Sequence, residues 1–378
     1  MKKLLLATVA FALIAPTAQA EIKLDLGGFF KGYAGYASNN NNPSSTRDFD
    51  VKRKSQVFFQ GETTLDNGLT VGYNGQLMQD NNVDPANAGG DNAMEQSYLY
   101  FSGNWGRVNL GRENGAAYLL QVTAPAADAN LDGSDIEFSF FNTNGANIRQ
   151  DYAHTGALQD QTGVLNRGED FQYADKITYL TPKFNGFQAG VSYTPQVAPR
   201  NQLSYFGQSS TTAGTYEDLM EAAARYDGEF SGVGVHLGAG YTRADGDDNS
   251  TQDFRDWNAG AKFTYEGFGL GVAHTDRRGD ITNSTATAAL GGQVKNWVVG
   301  GDYTYGAYTF GATYFNSRGD STVAGNKDDY ERYAVGSSYT FGPGMKFNGS
   351  VAHHDLTAAA GANNNKAWVF AVGTDIQF

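Results

Sequence analysis

Residues 128–139, DANLDGSDIEFS, set oxygen-bearing side chains at alternate positions. Asp128, Asn130 and Asp132 precede Gly133, as in the D-x-[DN]-x-[DN]-G start of a helix–loop–helix calcium site. That site closes with a bidentate Glu at its twelfth position, and here the position is Ser139. Two chemistries therefore stand open. In one, Asp128, Asn130 and Asp132 hold a calcium ion, with Asp135 or Glu137 completing the shell. In the other, Asp128, Asp132, Asp135 and Glu137 bind no metal and supply a local negative field.

Other chemistry is thinly represented. The chain has no Cys, which excludes disulfides and thiol catalysis. The five histidines are His154, His236, His274, His353 and His354. No spacing sets one of them beside a serine with a third group to orient it, as nucleophilic catalysis needs. The expectation is a protein that is not an enzyme and requires no cofactor.

The elements that must position the acids begin after residue 20. Lys2 and Lys3, the apolar run from Leu4 to Ile14 and the small residues Ala18-Gln19-Ala20 read as an export signal, too short to span a membrane. Residues 21–378 are then one mature domain. Removing two lysines from 27 basic residues leaves 25 against 40 acids, a net charge of −15. Nucleic acid is not an expected partner, because phosphate backbones call for a basic footprint.

Period two dominates this domain. In KLDLGGFFKGYAGY, Leu24, Leu26, Phe30, Ala34 and Tyr36 share one face, and Lys23, Asp25 and Lys31 the other. Val57, Phe59 and Leu65 lie opposite Lys52, Lys54, Gln56, Gln60 and Glu62. His236 lies opposite Leu237, Ala239 and Tyr241. Near the C-terminus, Trp368, Phe370, Val372, Ile376 and Phe378 alternate with smaller residues. Such segments are strands with one apolar and one polar face.

Short connections alternate with long ones. Gly-rich turns near residues 66–68, 103–106, 182–186, 227–232, 266–267, 305–307 and 342–344 separate eight longer polar loops. Seven turns and eight loops join about sixteen strands. An even strand number with short turns at one end and long loops at the other predicts an all-β transmembrane antiparallel barrel. The 48 Gly, 22 Tyr and 24 Phe suit tight turns and aromatic belts, for which Trp257, Trp297, Tyr303, Tyr305 and Phe378 are candidates. The third long loop, about sixty residues after Arg112, contains the acids of residues 128–139.

Several stretches resemble the general bacterial (trimeric) porin family of Gram-negative outer membranes. FFKGYAGY resembles its first strand, and SQVFFQGETTLDNGLTVGY its second strand, turn and third strand. WGRVNLGRENG resembles the strand before the pore loop, KITYLTPKFNGFQAGVSY the hairpin after it, and AVGTDIQF the terminal strand. The resemblance implies an outer-membrane location, a homotrimer, and lipid and lipopolysaccharide partners. It implies a water-filled channel for passive diffusion of small hydrophilic solutes and ions. It also implies that the third loop folds inward and sets its acids, Asp128, Asp132, Asp135 and Glu137, against wall bases. Lys31, Arg112 and Arg167 match the family's basic positions. Where the family often has an arginine this chain has Gln56, and Lys54, two residues earlier, faces the same way. The loop also lacks the family's common Pro-Glu-Phe-Gly-Gly run. Phe378 matches the final aromatic that the barrel-assembly machinery reads. The acid count leans toward a mild cation preference. The competing readings are a substrate-specific porin for sugars or anions, and a plugged binding or adhesive barrel.

Overall fold

The computed structural model describes residues 23–41, 47–78, 94–126, 128–133, 136–143, 146, 148–150, 174–197, 216–246, 253–281, 290–321, 325–359 and 364–378. The expected export signal and the site candidates Asp135 and Arg167 lie outside the described residues.

The alternating segments form strands. The first five are β1 (Lys23–Ala37), β2 (Phe49–Thr64), β3 (Thr70–Met78), β4 (Met94–Gly103) and β5 (Gly106–Arg112). Two single-turn helices follow in the third long loop, α1 (Ala116–Leu119) and α2 (Ala129–Asp132). Then come β6 (Asp175–Leu180), β7 (Phe187–Gln196), β8 (Tyr216–Phe230), β9 (Val233–Gly246), β10 (Phe254–Tyr265) and β11 (Phe268–Ile281). The last are β12 (Leu290–Tyr305), β13 (Tyr308–Asp320), β14 (Lys327–Gly342), β15 (Met345–Thr357) and β16 (Asn365–Gln377). Each strand pairs antiparallel with its sequence neighbours, and β16 pairs with β1, so the sixteen strands close on themselves. Closure leaves no edge with unpaired backbone groups, the condition for a sheet to cross lipid.

The tight turns fall where expected. Between β6 and β7, Asn185 and Gly186 have φ of 48° and 86°, and between β10 and β11, Glu266 and Gly267 have 45° and 87°. Two successive positive φ values match the type I′ turn, whose twist suits the flanking strands.

Most of the large apolar strand residues face outward. On β16, Trp368, Phe370 and Val372 are exposed while Ala367, Val369 and Ala371 between them are buried. Trp257, Trp297, Tyr305 and Phe378 are exposed on the same outer surface, and Tyr303 stacks on Phe268 with ring centroids 4.3 Å apart. This surface meets the hydrocarbon of a bilayer in an outer-membrane barrel.

The seam between first and last strands is locked by the terminal residue. The amide of Gly28 donates to the Phe378 carbonyl at 2.9 Å, and the Phe378 amide donates to the Gly28 carbonyl at 3.1 Å. A Cβ at Gly28 would lie 2.5 Å from the Gln56 carbonyl oxygen and 3.0 Å from the Phe378 ring, so only glycine lets the ring close here. Deleting Phe378 removes both bonds, at about 1 kcal/mol each. The truncated chain is expected to fold into bilayers more slowly and to unfold at lower urea, while chains that do insert conduct as before. Unchanged folding rate and urea midpoint, read by the gel shift of the folded barrel, would show that this seam does not control assembly.

Candidate functional site

The third long loop starts at the end of β5 and turns into the barrel. Arg112 donates through Nε to the Glu95 carbonyl at 3.1 Å. Glu95 in turn accepts from Gln56 Nε2, so Gln56 joins β2 to β4 at the loop's root. Lys176 on β6, itself buried, donates to the Glu113 carbonyl and to the Ala174 carbonyl. These contacts fix the direction in which the chain enters.

From there the loop lies flat against the inner wall. Ala116 and Ala117 of α1 have no exposed surface, and the Ala116 amide donates to Ser192 Oγ on β7 at 2.7 Å. Residues 120–125 then cross β9 to β12, where the wall offers glycines instead of side chains. A Cβ at Gly260 would lie 1.9 Å from the Val122 carbonyl oxygen, and one at Gly300 would lie 2.1 Å from that of Pro125. The missing side chains make room for the loop's backbone.

At α2 the loop reaches the far side. Asp128 caps this turn by accepting from the Asn130 amide at 3.1 Å, and also accepts from the Tyr33 hydroxyl at 3.0 Å. Asp132 accepts from the Asp128 amide and from Thr313 Oγ1, both at 2.8 Å. Asn130 Nδ2 donates to Tyr33 at 2.8 Å and to Asp375 at 3.0 Å, and Asn348 Nδ2 donates to the same two partners. Asp128, Asn130 and Asp132 are all buried. Burial drives the Asp128 carboxyl up to about 6; the Asn130 amide opposes the shift, and Asp132 nearby adds to it. Its folded carboxyl holds a proton that the unfolded chain has released, so the anchor weakens as pH rises from about 4 to about 6.

Glu137 is the acid brought against the wall bases. On the inner face Lys31 of β1 and Lys54 of β2 stand directly opposite each other. Glu137 bridges them, with Oε1 at 2.9 Å from Lys31 Nζ and Oε2 at 2.6 Å from Lys54 Nζ. The three side chains are 15–20% exposed, so they border open space. Burial pushes the Glu137 carboxyl up, but the ammoniums of Lys54 and Lys31 outweigh it and hold the group below the usual range. Its contribution is present above about 4.5 and is lost as pH falls through this lowered value.

The returning half of the loop is held by apolar contact. Phe138 packs on Tyr33, with centroids 5.1 Å apart, and Phe140 covers Gly35. Phe141, Ala146 and Ile148 are buried with Phe315, Tyr330, Leu356 and Ala367 of the inner wall. Arg332 donates to the Gln150 carbonyl at 2.8 Å. Sequence reasoning missed this apolar half and the partners Tyr33, Thr313, Asn348 and Asp375. The available signal was the pair Phe315 and Leu356, apolar side chains at inward positions where a water-filled lumen calls for polar ones.

The described histidines have other uses, and His154 lies outside the described residues. His236 pairs with Asp227 at 2.8 Å, His354 with the Tyr330 hydroxyl at 2.8 Å, and His274 stacks on Trp297.

A closed sixteen-strand barrel with a loop packed against its inner wall defines a porin-type membrane barrel. The sequence model described as Gram-negative porin matches residues 7–359, and the chain belongs to that family, whose place is the bacterial outer membrane. An uncharacterized protein of Rickettsia prowazekii is 26% identical over 215 residues, which cover 52% of this chain and 49% of that one. An uncharacterized protein of Rickettsia felis is 28% identical over 107 residues, 27% of this chain and 24% of that one. The chain thus spans between a quarter and a half of the length of these curated relatives. Among solved structures, the anion-selective porin from Comamonas acidovorans has a TM-score of 0.62 at 18% identity, covering 95% of this chain and 100% of that one. OmpT of Vibrio cholerae in its trimer form scores 0.62 at 13% identity, over 94% and 99%. These two likenesses are of fold.

The wall glycines give a direct test of loop placement. Gly260→Ala puts a methyl into the Val122 carbonyl, and the overlap costs about 1–3 kcal/mol unless the loop lifts away. The expected result is lower single-channel conductance and new protease sensitivity in the loop. Gly349→Ala, where nothing lies within 4 Å of the added Cβ, is expected to change neither. Equal behaviour of the two variants would contradict the packing described.

Proposed function

We propose that the barrel is an open, passive channel for small hydrophilic solutes and ions, narrowest where Glu137 meets Lys31 and Lys54. The observation that carries this is the bridging carboxylate between two facing lysines, partly open to the lumen. Opposed charges across a narrow gap orient water and polar solutes and bias ion passage. Arg112 stands at the root of the same loop. Asp135 and Arg167 complete the acidic and basic sets in this reading. The channel catalyses nothing and needs no cofactor. Asp128 and Asp132 serve as loop anchors, since Asp128 Oδ1 and both Asp132 oxygens already accept hydrogen bonds and Asn130 turns its amide nitrogen to its partners. Residues 1–20 act as the export signal of a mature domain 21–378, and Phe378 as the assembly signal.

The acids' burial alters the expected selectivity. Two ammoniums and one carboxylate leave one positive charge at the bridge, so the local field favours anions, opposite to the lean from the acid count. Two unit charges about 4 Å apart interact by roughly 4 kcal/mol at an effective dielectric of 20 and about 1 in bulk water.

The homotrimer has support on the outer surface of β1 to β4. Arg53 is exposed there, opposite Gly32, which in turn faces Thr374 between the aromatic ends Trp368 and Phe378. An arginine facing lipid near mid-depth costs about 2–4 kcal/mol. Gly32, directly opposite it, and Ser55, two residues along, are small, so the side chain stands clear of its strand neighbours on this face. A second copy of the chain covers this face. OmpT of Vibrio cholerae, of similar fold, has a trimer form.

Three results are expected. In planar bilayers the protein gives stepwise, salt-dependent conductance; silence at high protein density would instead favour the plugged or adhesive reading. Glu137→Gln moves the reversal potential further toward anions, and acidification of the native protein moves it the same way as Glu137 takes up its proton; a chelator leaves it unchanged. A selectivity insensitive to both changes would remove Glu137 from the constriction, and a chelator effect would restore the calcium reading. Arg53→Glu shifts the purified protein from three copies toward one in native mass measurements, and an unaltered mass would place the contact elsewhere.

A further inference from the structure

Resting on the channel reading, we propose that Arg107 and Glu62 form a binding site for small zwitterionic solutes at the short-turn mouth of the lumen, with Arg107 holding a carboxylate and Glu62 an ammonium. Register sets Glu62 of β2, Gly72 of β3, Tyr100 of β4 and Asn109 of β5 in one row across four strands. Gly72 has no side chain, so the Tyr100 ring lies across it; a Cβ there would be 2.2 Å from the ring's Cζ. Tyr100 is 3% exposed, and its hydroxyl donates to Glu62 Oε2 at 2.5 Å and accepts from Gln60 Nε2 at 3.2 Å. Arg107, two residues before Asn109, folds back over the ring. Its guanidinium carbon is 3.9 Å from the ring centroid, and its Nε donates to Asn109 Oδ1 at 2.6 Å. Stacking and hydrogen bond together fix the guanidinium plane.

An arginine and a glutamate so close together ordinarily pair and quench each other. Here Tyr100 holds them apart, one on its face and the other at its hydroxyl, and neither forms an ion pair among the described residues. The two Nη groups of Arg107 and Oε1 of Glu62 have no protein hydrogen-bond partner among those residues. Both side chains are half-buried on the inner wall. Glu113, bound to Asn109, is buried, and burial pushes its carboxyl up, so Glu62 supplies the negative charge at this place. One charge of each sign gives a lone inorganic ion little net attraction. A solute with a carboxylate at one end and an ammonium at the other meets both charges at once, and the planar fork of Arg107 suits the carboxylate. The site is distinct from the lysine bridge. Glu62 is eight residues along β2 from Lys54 on the same inward face. Eight strand residues span about 26 Å, or about 20 Å along the barrel axis at a tilt near 40°. A passing solute therefore meets the two sites in succession.

The test uses purified full-length protein in planar bilayers, with potassium chloride current through single channels as the readout. The probes are γ-aminobutyrate, butyrate and butylammonium, each added at neutral pH to either side in turn. On the native protein γ-aminobutyrate is expected to lower the mean current at a concentration about threefold to tenfold below that needed by butyrate or butylammonium, the gain from one more charge contact at a water-facing site. Arg107→Gln should abolish this preference, and Arg107→Lys, which keeps the charge without the fork, should reduce it. Glu62→Gln, whose side chain still accepts from Tyr100, should also abolish it. Lys183→Ala, at another short turn and paired with Asp227 at 3.5 Å, should retain it. Should one of the two Gln variants fail to insert, the other carries the comparison, because each removes one of the two charges. Equal potency of the three probes on the native protein, or a preference that survives in Arg107→Gln or Glu62→Gln, would overturn the proposal. Current is read first with no probe present. Its absence in the native protein would overturn the channel reading and this site with it, whereas normal current with no preference for γ-aminobutyrate would overturn this site alone.

Discussion

The arrangement of the lumen depends on two like charges that the sheet forces together. Closure of the barrel fixes the register of β1 against β2, and that register sets Lys31 directly across from Lys54. Neither can move to the other face, because a one-residue slip would turn every outward apolar residue inward. The repulsion has to be met from outside the two strands, and Glu137 meets it with one carboxylate oxygen for each ammonium. Much else in the loop can be understood as the means of bringing that carboxylate across the barrel. A chain entering after β5 must pass over β7 to β13 before it reaches β1, and it does so without filling the lumen because it lies in the space left by wall glycines.

The loop is anchored by two kinds of contact with different pH behaviour. Asp128 is buried and resists ionisation although the donors from Asn130 and Tyr33 favour its charged form, so burying it costs least when it is protonated. Glu137 is held ionised by its lysines, so its contacts are strongest above its lowered titration range. The apolar half, Phe141 and Ile148 against Phe315, Tyr330 and Leu356, is indifferent to pH and keeps the loop on the wall throughout. Acid therefore weakens the charged bridge while leaving the loop in place, which separates a change of selectivity from a collapse of the channel.

Much of the fold could be read from the chain, because each strand carries its own record. Alternation marks its two faces, and Asn185-Gly186 or Glu266-Gly267 marks its turn. Lys31, Lys54 and Glu137 were legible as a set only through resemblance, since nothing local says that residue 137 crosses to residues 31 and 54. Asp128 and Asp132 looked like lumen or metal groups, and the structure turns them into a buried polar lock with Tyr33 and Thr313. Their burial depends on contacts with β1 and β13, far away in sequence, and no spacing rule reports such contacts. The inward apolar residues of β13 to β16 were visible but unread, because an inward face was taken to be a wet one.

Glu137 as a lumen-facing group at the narrowest point is the claim on which the channel reading stands. The chain contains no cysteine, so Glu137→Cys creates a unique thiol. The decisive measurement is bilayer current through that variant as a bulky charged thiol reagent is added, with labelling verified by mass. The account predicts that current falls in steps as each channel is modified. Complete labelling with undiminished current would show that Glu137 does not border the conducting path, and would contradict it.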